Sequence, residues 1–134
     1  MKIQDTLLEM GKYSCLALCY IKAALLKKGE KDNIDKKCLH ELIDIYYDTP
    51  YLATDCTVLY PEKILKKISG CENATVYKST VPTNVGYEAF GYSIDGKSFH
   101  WILAKDGEIV FNSLQNSRNV SQGKLMSVRV MRFN

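Results

Sequence analysis

Hydrophobic positions change period half-way along the chain. From Cys15 to Leu26 eleven of twelve residues are apolar, and Lys22 alone is polar. An apolar surface on nearly every side predicts a helix at the centre of a domain, covered by several neighbours. Ser14 is placed to cap it, and Gly29 stops it after Lys28. Upstream, residues 4–10 read as a short helical turn broken at Gly11. Asn33 or Asp35 starts a second helix, whose stripe is Leu39, Leu42, Ile43 and Tyr46 and which ends before Pro50. Pro61 opens a third, with Ile64, Leu65 and Ile68 inward and Gly70 at its end.

After Cys71 the period falls to two. Strands are predicted over Thr75–Val81, Tyr87–Ile94, Lys97–Lys105, Glu108–Ser113 and Leu125–Arg132. Asp95-Gly96 and Asp106-Gly107 are hairpin signals, so the middle three strands form an antiparallel meander that the last one joins. The expected fold is α+β in one domain, 1–134, with a helical half 1–70 and a strand-rich half 71–134. Helices, including the buried central one, pack on an antiparallel sheet of four to five strands.

Charge narrows the function classes. The net charge is +3, and residues 1–67 set eleven lysines against ten acids, which gives no nucleic-acid footprint. The local excess is Arg118, Lys124, Arg129 and Arg132, with no acid among them, and reads as a solvated strand edge. The N-terminal sequence has no signal-peptide core, and the longest apolar run falls short of the roughly 20 residues that cross a bilayer. The expectation is a cytoplasmic protein with no membrane partner. Five cysteines, an odd number, are expected as reduced thiols. No CxxC pair occurs and His40 lies far from His100, so no metal or other cofactor is expected.

Cys15 stands at the predicted start of the central helix. There the unpaired N–H groups and the dipole lower a thiol pKa, although a small apolar core residue fits the same place. Cys19 and Cys38 read as core, and Cys56 and Cys71 lie near loops. His100 sits inside a strand, and Asn112 on the next one. A three-residue loop, Lys105 to Gly107, pairs Ala104 with Glu108 and sets His100 opposite Asn112. A two-residue turn instead sets Ser113 there and turns Asn112 away. His40 reads as solvated, Trp101 as core on the sheet face opposite His100 or as the wall of a cleft, Tyr46 as core, and Tyr47 and Tyr51 as cleft or partner residues. A thiol, an imidazole and an orienting amide are the parts of a thiol hydrolase.

At these residues the chain resembles the papain-like cysteine peptidases, chiefly compact bacterial branches such as the bacteriocin-processing peptidases. It is also similar to small uncharacterised proteins of bacterial mobile elements. The stretch from Gly11 to Ile21 looks like the nucleophile loop and helix. Phe99 to Asn112 looks like the histidine strand and its successor, and Asp55 to Leu65 like a connecting stretch of the mobile-element proteins. The resemblance implies a papain-like fold with Cys15 as nucleophile, His100 as acid/base and Asn112 as orienting residue. Asn116 is an alternative for the last role. The Cys15 N–H would serve the oxyanion hole. The glutamine these peptidases carry some six residues before the cysteine is Glu9 here, which leaves Gln4 as the upstream amide, and Leu16 follows the nucleophile. The implied substrates are peptides, proteins or peptidoglycan-like amides. Other readings are a catalytically silent relative that binds a host protein, and an unrelated α+β binding domain.

Overall fold

A computed structural model describes residues 14–112 and 121–134. The helical turn expected over 4–10 lies outside them, as do Gln4, Glu9, Ser113, Asn116 and Arg118.

Helix α1, Cys15–Lys28, is the predicted central element. Ala17, Cys19, Tyr20, Ile21, Ala23 and Ala24 are all buried, because the helix packs against two other helices and the sheet. Lys22, 8% exposed, is accommodated by pairing. Its ammonium lies 2.7 Å from Asp35 and 4.7 Å from the ring centroid of Phe111. Gly29, at φ 97°, caps the C-terminus by donating to the Leu25 and Leu26 carbonyls.

Helix α2, Ile34–Asp48, buries Cys38, Leu42 and Ile45. Of the expected stripe, Leu42 is buried and Ile43 and Tyr46 pack against the core, whereas Leu39 turns outward. Leu39 is 50% exposed, and the small Cys38 takes the inward place beside α1. Helix α3, Pro61–Ser69, buries Ile64, Leu65 and Ile68 as its spacing predicts.

The strands are β1 (Thr75–Ser79), β2 (Tyr87–Ser93), β3 (His100–Lys105), β4 (Glu108–Phe111) and β5 (Lys124–Arg132). They form one antiparallel sheet in the order β1-β5-β2-β3-β4. The meander β2-β3-β4 follows the expectation. The basic strand does not form an edge, however. β5 lies between β1 and β2, and β1 pairs with it along all five of its residues, from Thr75↔Arg132 to Ser79↔Val128. Two cations of β5 meet aromatic faces, Arg129 over Trp101 and Arg132 over Tyr77, while Lys124 is exposed.

Asp95-Gly96 likewise is no tight hairpin. Tyr92 pairs with His100, and the intervening chain is closed by side chains. The Asp95 carboxylate accepts the Ser98 and Lys97 N–H groups at 2.9 Å, which holds its pKa below the usual range. Ser93 donates to the Ser98 carbonyl at 2.6 Å. β3 therefore starts at His100 rather than Lys97.

Both sheet faces are buried. Ala89, Trp101, Leu103 and Met131 belong to the core shared with the helices, while Phe90, Ile102, Ala104, Val128 and Val130 form a second cluster. Beside that second cluster stands Glu88, fully buried on β2. Its carboxylate accepts the N–H of Thr83 at 2.9 Å and of Asn84 at 2.8 Å, and so ties the 80–86 connection to the sheet. Glu88→Ala leaves two N–H groups without their acceptor. It should lower the unfolding free energy by about 1–3 kcal/mol in urea titrations, whereas the exposed Glu108→Ala should stay near wild type.

Candidate active site

The site is built where the N-terminus of α1 meets the start of β3. Ser14 occupies the N-cap position as expected, but its side chain makes no capping bond. Its hydroxyl oxygen is buried and finds no partner among the described residues. The next residue, Cys15, is half-buried, and the backbone N–H groups of Trp101, Leu16 and Cys15 itself act to lower its thiol pKa.

All three donors favour a thiolate, as the helix-terminus argument requires. Burial acts in the opposite direction and is the larger effect, so the thiol pKa is raised above its ordinary value. This corrects the expectation of a lowered pKa: the tertiary packing that supplies the Trp101 donor also removes water. Cys19, one turn on, is fully buried and is pushed much further up by desolvation.

Trp101 directly follows His100 on β3, but the cavity that Cys15 and Trp101 line does not include His100. His100 is 4% exposed, and its Nε2 lies 2.6 Å from Oδ1 of Asn112. An amide oxygen only accepts, so Nε2–H donates. In the neutral ring Nδ1 then carries the lone pair.

The register that joins these two residues differs from the expected one. The turn has two residues, not three: Lys105 pairs with Glu108, and Asp106 (φ 52°) and Gly107 (φ 86°) are both left-handed. Continued regularly, that turn would send Asn112 to the face opposite His100. The ladder instead steps from Ala104↔Ile109 to Leu103↔Phe111 and passes over Val110. This one-residue bulge in β4 reverses the parity again, so Asn112 returns to the His100 face and reaches it diagonally.

Trp101 both belongs to the core and walls a cleft. It stacks on Phe99 at 5.9 Å and 24°, and the Arg129 guanidinium lies 4.8 Å from its ring centroid. Its partner across the ladder is Gly91, where an added Cβ would fall 2.8 Å from the indole. Glycine is what allows the ring to lie flat there.

Beside Cys15 opens a cavity of about 680 Å³. Leu16 and Tyr20 of α1, the 56–59 segment, Val76 to Lys78 of β1 and the Phe99–Trp101–Arg129 group line it. Tyr20 and Cys56 were not legible as cavity residues. Tyr20 falls in a uniformly apolar helix, and Cys56 is turned inward by a left-handed backbone (φ 69°). Tyr47 (58% exposed) and Tyr51 lie outside this lining, with Tyr51 edge-on to Tyr60 instead. Tyr46 packs against the core and His40 is exposed, as read from the sequence. Among the described residues no three His, Cys, Asp or Glu side chains are grouped to hold a metal ion. No described helix is long and apolar enough to cross a membrane.

A family model described as "Protein of unknown function, DUF261" matches residues 1–133. The chain belongs to that family. No curated protein and no solved structure gives a match.

In this DUF261 protein the fit of Gly91 against Trp101 bears directly on the site. Gly91→Ala should cost about 1–3 kcal/mol through overpacking. Trp101 is the only tryptophan of the chain, so its emission maximum should shift in the folded variant, which fluorescence measures together with the denaturation midpoint.

Proposed function

We propose that this protein is a papain-like cysteine hydrolase cleaving an amide or related acyl bond in a peptide, protein or peptidoglycan-like substrate. The observation that carries the reading is the His100–Asn112 hydrogen bond on the strand whose Trp101 N–H lowers the pKa of the Cys15 thiol. Asn112 fixes the tautomer that leaves Nδ1 basic, and the buried thiol needs such a base, because burial alone keeps it protonated near neutrality.

In this reading His100 Nδ1 takes the thiol proton and the sulfur attacks the acyl carbon. The oxyanion is met by the Cys15 N–H, and the resemblance would give the second donor to the upstream amide of Gln4. The C–N bond then breaks as the imidazolium protonates the leaving amine, which leaves a thioester. Water, deprotonated by His100, attacks that thioester, and the C–S bond breaks to release the acid and restore the thiol.

A second reading has two features in its favour. The raised Cys15 pKa, together with Glu9 where the resembled peptidases carry glutamine, suits a catalytically silent relative that binds a host protein. Iodoacetamide alkylation of each cysteine against pH, resolved by peptide mass spectrometry, separates the two. For the hydrolase, wild-type Cys15 with its raised pKa still reacts faster near neutrality than Cys15 in His100→Ala, because the imidazole takes the thiol proton. In His100→Ala the profile moves further above the ordinary thiol value of about 8.5. Asn112→Ala gives a smaller shift in the same direction. A wild-type profile unmoved by either variant sinks the hydrolase and leaves the binding domain.

A further inference from the structure

The cavity beside Cys15 is lined by three cations and, among the described residues, by no carboxylate. Lys97 comes from the β2–β3 connection, Lys78 from β1 and Arg129 from β5. Lys78 and Arg129 are direct partners across the β1–β5 ladder. Like charges placed opposite one another on adjacent strands destabilise a sheet. Neither is offset by a neighbouring acid: the ion pairs of the described residues are Lys22–Asp35 and Lys37–Glu30. The nearby carboxylates are engaged with backbone. Glu62 accepts the Val76 N–H at 2.9 Å, and Asp95 accepts those of Lys97 and Ser98.

Arg129 is also held in place. Its guanidinium lies on the Trp101 ring and donates to Ser127 Oγ at 2.6 Å, which fixes the plane and leaves donors on its remaining edge. Tyr20 lines the same space near that charge, and burial pushes its phenol pKa up, so it remains a neutral donor.

We propose that this cavity binds an acidic peptide segment, with Arg129 as the direct ligand of an Asp or Glu side chain and Lys78 and Lys97 flanking it. Cleavage of that segment at Cys15 rests on the hydrolase reading above; its binding does not. The segment neutralises the Lys78–Arg129 pair, and Trp101 forms the apolar floor under the chain.

Two measurements test the site without any turnover. First, the ratio of iodoacetate to iodoacetamide alkylation at Cys15 is compared with the same ratio for glutathione. A cationic cavity raises it about tenfold at low salt. The excess falls in 1 M NaCl and in Arg129→Gln and Lys78→Gln separately. Second, Trp101 fluorescence is titrated with a short blocked peptide containing glutamate and with its glutamine counterpart. Only the acidic peptide should change the emission, and Arg129→Gln should abolish the change. Because this readout needs no sulfur reactivity, an inert Cys15 leaves the binding claim testable. Equal responses to the two peptides overturn the proposal, and so does a response to inorganic phosphate with none to the acidic peptide. An unmoved alkylation profile in His100→Ala, by contrast, removes only the hydrolase.

Discussion

The arrangement depends on the packing of the central helix against β3, which brings the Cys15 sulfur close enough to Trp101 for its backbone N–H to lower the thiol pKa. It joins the first residue of the central helix to the second residue of β3, and thereby the helical half to the sheet. The helix can approach so closely because its face is built of small and apolar residues, Ala17, Cys19, Ala23 and Ala24. Close approach has an electrical consequence. The same packing that supplies donors to the sulfur strips water from it, and the second effect is larger. A thiol in that position is a weak nucleophile until a base takes its proton.

The histidine is prepared by the sheet rather than by the helix. β3 is covered on both faces, so its polar residue must be paired, and Asn112 provides the partner at 2.6 Å. That pairing exists because β4 contains a bulge. A tight two-residue turn and one skipped residue together have the same parity as a three-residue loop, although the strands end up in a different register. Bulges recur beside functional sites because they re-aim a side chain without disturbing the neighbouring ladder.

The cavity next to the sulfur has an uneven charge distribution. Its cations sit on three separate elements, and two of them face each other across the β1–β5 ladder. Arg129 is both part of the wall and a stacking partner of Trp101, which in turn needs Gly91 beneath it. Indole and guanidinium therefore form one packed unit in the wall of the cavity that Cys15 also lines, and a change in either is felt by the other.

Local patterning determined much of this protein. The uninterrupted apolar run from Cys15 to Leu26 dictated a buried central helix, and the change to period two after Cys71 dictated a sheet. Gly29 and Gly70 ended their helices where expected, because a left-handed cap is a local property of glycine. Cys15, His100 and Asn112 could be singled out because residue chemistry and chain order are visible in one dimension. The tertiary structure decided what depends on distant partners. β5 went to the interior because β1 paired with it, which turned an expected solvated edge into a cavity wall. The Val110 bulge, the turn that carries Cys56 inward and the rise of the Cys15 pKa likewise arise from packing between elements far apart in the chain. Periodicity specifies which face of an element is buried. What lies against that face is set by the sum of long-range contacts, and here those contacts fixed both the register and the electrostatics of the site.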